Sequence, residues 1–154
     1  MKKYFEGWYF KNQANDHTLA VIPGRTAEKS FVQVITKSQS YYIEYPISEY
    51  IKKGKSLKIG ENIFSSKGIK LSIKCSELTL SGVIKYENHV PIKYDIMGPF
   101  RYFPMECSHE VISMRHMLSG KIILNGEVWS FNKGMGYIEA DRGTSFPSEY
   151  SWVH

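Results

Sequence analysis

Several features that would assign a function directly are missing from this sequence. It has no glycine-rich phosphate loop, no serine nucleophile elbow and no zinc-peptidase helix motif. No stretch reaches the roughly 18 uncharged apolar residues of a membrane-spanning helix. The start, Met1-Lys2-Lys3, leads into Tyr4, Phe5 and Glu6 instead of an apolar signal core. These absences predict a cytoplasmic protein.

Cysteine is scarce, since only Cys75 and Cys107 are present. They can form at most one disulfide, and their spacing fits neither a disulfide framework nor a metal site. We therefore expect both to be reduced and structural. Cys107, His109 and His116 lack a fourth ligand at a suitable spacing, so no metal is predicted.

An excess of basic residues, 20 against 15 acidic ones, gives a net charge of +5. Lysines between residues 52 and 85 lie at turns or alternate with apolar residues, as on the solvated face of strands. No recognition-helix or RNA-binding pattern accompanies them, so we expect no nucleic-acid partner. Weak association with an anionic membrane surface stays open and would suit a protein that handles lipophilic compounds.

Apolar and aromatic residues make up 42% and 14% of the 154 residues, which suits one domain spanning residues 1–154. Residues 69–75 alternate between apolar and polar, and residues 78–86 continue in the opposite phase. This phase change predicts a tight turn or bulge between two strands. Asn125-Gly126 predicts a type I′ hairpin turn into residues 128–131.

Most of the remaining chain is also typical of strands. The candidates are residues 5–10, 18–22, 31–36, 41–47, 90–96 and 107–124. We interpret Pro23-Gly24 as a turn, and only residues 46–54 favour a helical turn. Eight to ten short strands with little helix predict an all-β fold, an antiparallel barrel or sandwich.

Two carboxylates near the end of the chain share one face if residues 136–141 are extended. Tyr137, Glu139 and Asp141 then line one side, while Ile138 and Ala140 line the other. Neighbouring carboxylates repel each other's charge, which can keep one protonated and available as a proton donor. The alternative is a strand with a solvated acidic face.

Four ordered motifs resemble the tocopherol cyclase family. They are residues 5–11 (FEGWYFK), 19–24 (LAVIPG), 104–109 (PMECSH) and 136–147 (GYIEADRGTSFP). The resemblance implies a lipocalin-like, calycin-type barrel within a protein of about twice this length. We therefore expect the chain to be an N-terminal half, or a short form that completes its site by forming a homodimer.

The activity that the resemblance implies is cofactor-independent. A phenol oxygen adds across the nearest double bond of a prenyl tail, which requires a proton donor and a dry pocket with electron-rich walls. The candidate donors are Glu139 and Asp141, with His109 as a further titratable group and Glu6 and Glu106 behind them. The candidate ligand-binding residues are Trp8, Phe10, Tyr41, Phe103, His116, Tyr137 and Arg142.

Two of these residues have competing interpretations. His116 shares parity with Ile112, Met114 and Leu118, which predicts either a hydrogen-bonded core histidine or a general acid or base. Arg142 replaces the tryptophan of many relatives. It can repel a developing cation, lower the pKa of Glu139 or Asp141 by pairing with it, or stack on Trp8.

Three functions follow. The first is cyclase-type isomerisation of a prenylated phenol or quinol, as the resemblance implies. The second is a non-catalytic, lipocalin-like carrier of a hydrophobic small molecule. The third is a structural half-domain whose pocket requires residues beyond 154. A protonated carboxylate facing the cavity favours the first function, whereas Glu139 and Asp141 outside the cavity favour the second.

Overall fold

In the part of the chain that the structure describes, twelve antiparallel strands form one sheet that curls into a nearly closed barrel. The computed structural model describes residues 4–104 and 107–144. The strands are β1 (Phe5–Ala14), β2 (His17–Thr26), β3 (Lys29–Ile35), β4 (Ser40–Pro46), β5 (Tyr50–Lys53), β6 (Ser56–Ile59), β7 (Asn62–Ser65), β8 (Gly68–Lys74), β9 (Thr79–Val90), β10 (Cys107–Leu124), β11 (Glu127–Ser130) and β12 (Met135–Gly143). Two short 3₁₀ helices span Ile47–Glu49 and Gly98–Tyr102. The predicted all-β, lipocalin-like fold is confirmed.

Strand order follows the chain except at one place. It runs β4-β3-β2-β1-β12-β10-β9-β8-β7-β6-β5, and β11 pairs with β10. The last strand, β12, lies between β1 and β10, so the two ends of the described chain meet in one wall of the barrel. Within residues 4–104 and 107–144, no helix has the length and apolar character needed to cross a membrane.

The barrel interior is filled by the apolar side of each strand. In β8, Ile69, Leu71 and Ile73 are buried while Lys70 and Ser72 between them are exposed. Phe10 packs against Phe64 with ring centroids 5.7 Å apart. Each large side chain buried in this way stabilises the fold by roughly 1.5–3 kcal/mol. Burial therefore fixes which side of each strand faces the barrel interior.

The hairpin predictions are confirmed. Strands β8 and β9 meet at the predicted phase change, and β10 is one continuous strand of 18 residues. Asn125 and Gly126 have φ values of 48° and 85°, as a type I′ turn requires. The count of eight to ten strands was too low because β5, β6 and β7 have only four residues each, too few for a clear alternation.

Two local predictions are wrong. Pro23-Gly24 is no turn, because β2 continues through both residues. Ladder pairing with β1 is interrupted between Gly24 and Val21, where the proline has no N–H to donate. The strand predicted at residues 90–96 is absent, since β9 ends at Val90 and Pro91 follows. A 3₁₀ turn was found inside residues 46–54, followed directly by β5.

Gly82 is required in β9, which lies between β8 and β10 in the sheet. Its φ is +141°, and a Cβ atom there would lie 2.4 Å from the carbonyl oxygen of Lys121. We expect Gly82→Ala to lower the free energy of unfolding by about 2–4 kcal/mol. Gly54→Ala is the matched control, because Gly54 also has a positive φ but has open space around it, and should cost about 1 kcal/mol. Urea unfolding of both variants measures the difference, and equal losses would contradict the steric argument.

Candidate functional site

The wall formed by β1, β12 and β10 presents different chemistry on its two faces. Trp8 pairs with Ala140 and Phe10 with Ile138, and this row faces the barrel interior. Tyr9 pairs with Glu139, so that row faces the other side. Paired residues of antiparallel strands point the same way, while consecutive residues point opposite ways. The register therefore directs the Glu139 side chain away from the barrel interior.

An acid cluster occupies the outer face of this wall, formed by Tyr9, His109, Tyr137, Glu139 and Asp141. Its central carboxyl, Glu139, is only 6% exposed, and Tyr137 is 4% exposed. The Tyr137 hydroxyl donates a hydrogen bond of 3.1 Å to Oε2 of Glu139. The rings of Tyr9 and Tyr137 meet edge to face at 6.2 Å.

A histidine bridges the two carboxylates of the acid cluster. Nδ1 of His109 contacts Asp141 Oδ1 and lies 3.5 Å from Glu139 Oε1. Its other nitrogen, Nε2, lies 3.6 Å from the sulfur of Cys107. Pairing of β10 with β12 places His109 opposite Asp141, which brings together residues that are far apart in the sequence.

The electrostatic consequence is a carboxyl group that titrates near neutral pH. Burial and the neighbouring charge of Asp141 raise the pKa of Glu139 to about 7, although the Tyr137 hydrogen bond and His109 act in the opposite direction. Burial, followed by the charge of Glu139, raises the pKa of Tyr137 as well. Glu139 can therefore donate a proton at a pH where an ordinary glutamate cannot.

The same three side chains have the donor set of a cation site. His109, Glu139 and Asp141 each offer one ligand atom, and these atoms lie within 4.8 Å of one another. Imidazole and carboxylate are ligands that divalent metals accept. A shared proton and a bound cation both relieve the same repulsion, so either can neutralise the cluster.

A cavity of about 530 Å³ lies inside the barrel, on the other side of β12. Trp8, Phe10, Phe64 and Ile138 contribute its apolar surface. Among the described residues, its charged lining residues are Lys52, Lys55 and Arg142 with Glu6, Glu110 and Asp141, so Asp141 borders both the cavity and the acid cluster. The cavity is large enough for a small organic ligand.

Glu6, a further proton-donor candidate, is held as an anion. Burial alone would raise the pKa of Glu6, but hydrogen bonds from Tyr50 and Arg25 and the charges of Lys52 and Arg25 outweigh it and lower the pKa. The distances are 2.7 Å from the Tyr50 hydroxyl and 2.8 Å from Arg25 Nε. Lys52 also lies 4.7 Å above the Trp8 ring. Glu106 lies outside the described residues.

The remaining predicted ligand-binding residues do not form one site. Tyr41 is buried in the core and contacts Gln39, whereas Phe103 is 60% exposed beside the Gly98–Tyr102 helix. Arg142 is exposed, borders the cavity and pairs with Glu6 in the β-ladder. Within the described part of the chain it makes no ion pair with Glu139 or Asp141. The predicted pairing of Arg142 with Glu139 or Asp141 is therefore not observed among the described residues.

His116 points into the barrel rather than toward the acid cluster. It is fully buried, its ring lies 4.2 Å from that of Tyr86, and its Nδ1 lies 3.0 Å from Ser113 Oγ. Burial, with a smaller contribution from His89, lowers the pKa of His116 to about 4, so the ring is neutral at pH 7. Sequence reasoning missed Ser113 and His89, because a lone serine and a lone histidine in strands carry no distinguishing pattern.

Comparison with known proteins supports the fold but assigns no family. No protein-family model and no curated protein matches the chain. A candidate AttH from Nitrosomonas europaea has a TM-score of 0.51 and 12% identity, over 95% of this chain and 52% of that one. CghA, crystallised with Sch210972, has a TM-score of 0.52 and 5% identity, over 93% of this chain and 46% of that one. The chain thus spans about half the length of these structures and shares their fold.

Replacing the central carboxyl tests its raised pKa. Because the folded protein holds the Glu139 proton more tightly than the unfolded chain, this stabilisation is complete below about pH 4.5 and is lost as the pH rises to about 7. We expect the wild type to lose about 1–3 kcal/mol more stability between pH 5 and pH 8 than Glu139→Gln does. Urea unfolding at both values measures this, with exposed Glu87→Gln as the control. Parallel pH profiles for wild type and Glu139→Gln would contradict the raised pKa.

Proposed function

We propose that this chain carries the proton donor of a tocopherol cyclase-type isomerisation of a prenylated phenol or quinol. The observation that carries the proposal is the buried Glu139 carboxyl, whose pKa of about 7 leaves a substantial protonated fraction at neutral pH. The GYIEADRGTSFP motif, which resembles the tocopherol cyclase family, contains both Glu139 and Asp141. The shared fold of the solved structures is compatible with this assignment.

The reaction balances without a cofactor. Glu139 transfers its proton to the less substituted alkene carbon, which forms a C–H bond and leaves a tertiary cation. The phenol oxygen then forms a C–O bond to that cation, and the phenol proton returns to the Glu139 carboxylate. No electrons are gained or lost overall, so the product is an isomer of the substrate.

The surroundings of Glu139 suit each step. Asp141 disfavours the anionic form before proton transfer, while the Tyr137 hydroxyl stabilises the carboxylate afterwards through its hydrogen bond. The electron-rich rings of Tyr9 and Tyr137 lie on the same face and can stabilise positive charge on the substrate. His109 contacts both carboxylates and so can relay the returning proton.

A second function is a hydrophobic small-molecule carrier that uses the barrel cavity. The observation favouring it is that Glu139 lies on the sheet face opposite Trp8, Phe10 and Ile138, which line the cavity. A ligand inside the barrel is therefore separated from the Glu139 carboxyl by β12, although Asp141 borders the cavity. Under this alternative, the acid cluster serves packing or a separate site.

Incubation with a prenylated hydroquinone separates the two functions. The cyclase predicts a product of unchanged mass and altered chromatographic retention, and Glu139→Gln should slow its formation at least about 100-fold, because general acid catalysis contributes that much. Glu87→Gln, an exposed glutamate outside the acid cluster, should keep the wild-type rate.

Native mass spectrometry of the same samples reports bound lipophile and oligomeric state together. Retention of the ligand by wild type and Glu139→Gln, without conversion by either, would support the carrier and contradict the cyclase for that substrate. Conversion by Glu139→Gln at the wild-type rate would remove Glu139 from the mechanism.

A further inference from the structure

A buried polar network lies inside the barrel between β1, β9 and β10. Asn12, Ser113 and His116 are fully buried, and Tyr86 is nearly so. The Tyr86 hydroxyl donates a 2.7 Å hydrogen bond to Asn12, whose amide nitrogen donates to the carbonyl of Leu19. Polar groups placed in an apolar core destabilise it unless they are satisfied, so such a network has a role beyond filling space.

Ser113 connects this network to the cavity by contacting two histidines. Its Oγ lies 3.0 Å from Nδ1 of His116 and 3.0 Å from Nδ1 of His89. The hydroxyl itself donates to the carbonyl of Arg115 at 3.1 Å. A serine has one O–H and two lone pairs, so once the O–H is used, both histidines must donate to it. With the hydroxyl proton donated to Arg115, both rings carry the Nδ1–H tautomer.

The second nitrogen of His116 is consistent with that tautomer. Its Nε2 is buried without a hydrogen-bond partner and packs onto Gly136, where a Cβ atom would lie only 2.2 Å away. A bare lone pair is easier to bury there than a bare N–H. His116 is thereby held rigidly against Gly136 and Tyr86, and its remaining polar contact is with Ser113.

His89 ends the network at the cavity, which it lines together with Ile92 and Ile112. Its Nδ1 is used by Ser113, and its Nε2 has no hydrogen-bond partner within the described ranges. In the Nδ1–H tautomer, Nε2 is an acceptor. It is therefore free to accept a hydrogen bond from a molecule in the cavity.

We propose that His89 is the polar recognition residue of the barrel cavity and accepts a hydrogen bond through Nε2 from a neutral hydroxyl, such as a phenol, on an otherwise apolar ligand. Among the described residues, Trp8, Phe10, Phe64, Ile92, Ile112 and Ile138 line the cavity, which favours a mainly apolar ligand. Ser113 and His116 are positioning residues that fix the orientation and tautomer of His89. This inference rests on ligand binding in the cavity, as in the carrier function, and is independent of Glu139.

A matched ligand pair tests the proposal. Calorimetric titration with 4-hexylphenol and 4-hexylanisole compares one shape with and without the hydroxyl donor. Wild type should bind the phenol roughly 3- to 10-fold more tightly, the value of one net hydrogen bond. In His89→Phe the preference should vanish. His89→Gln places an acceptor near the Nε2 position and should keep part of the preference for the phenol. His89→Asn can replace only the Nδ1 contact and should lose that preference.

Two controls separate recognition from folding. His17→Phe changes a histidine that stacks on Trp129 at 4.3 Å and does not line the cavity, so the preference should remain. Nitrogen-15 NMR of the ring should show the Nδ1–H tautomer of His89, and Ser113→Ala should shift it toward a mixture, which a purely structural role would not do.

The same titrations distinguish failure of the His89 role from failure of cavity binding. Equal affinity of wild type for both ligands, or an unchanged preference in His89→Phe, would overturn the role of His89 while leaving cavity binding intact. If wild type binds neither ligand, cavity binding fails together with this inference, whereas the Glu139 acid site is unaffected.

Discussion

Antiparallel register between β1, β12 and β10 is the constraint on which the chemistry of this protein depends. Because side chains alternate along each strand and match across it, one wall carries an apolar row inside and an acid cluster outside. A shift of one residue would exchange the two, burying Glu139 in the core and exposing Ile138. The same burial that stabilises the barrel therefore decides which groups can meet a ligand in the cavity and which cannot.

Two polar clusters depend on this wall and are neutralised in different ways. On the outer face, burial and Asp141 keep Glu139 protonated up to about pH 7, so charge is removed by a proton. Inside, His116 is kept neutral by burial, and Ser113 satisfies one nitrogen on each of two histidines. Glu6, in contrast, stays charged, because Arg25, Lys52 and Tyr50 stabilise its carboxylate. Only the first arrangement yields a proton donor near neutral pH.

Irregularities in β10 explain why strict two-residue alternation does not predict which residues share a face with His116. The sequence groups His116 with Ile112, Met114 and Leu118 as one apolar face. In the structure Met114 is 47% exposed, and the register shifts on both sides of Ser113. These bulges let Ser113 and His116, three residues apart, turn toward each other. A bulge depends on the partner strands, so local alternation cannot reveal it.

Local pattern determined much of the architecture by itself. Alternation in β8 and β9, the Asn125-Gly126 turn and the shared face of Tyr137, Glu139 and Asp141 each follow from the two-residue period of an extended chain and from turn chemistry within a few residues. Only the tertiary structure decided that Glu139 points away from the barrel interior, that His109 joins it and that His89 lines the cavity in contact with Ser113. Those facts depend on which strands pair and in which register, and that choice is made by burial of the whole core rather than by any one segment.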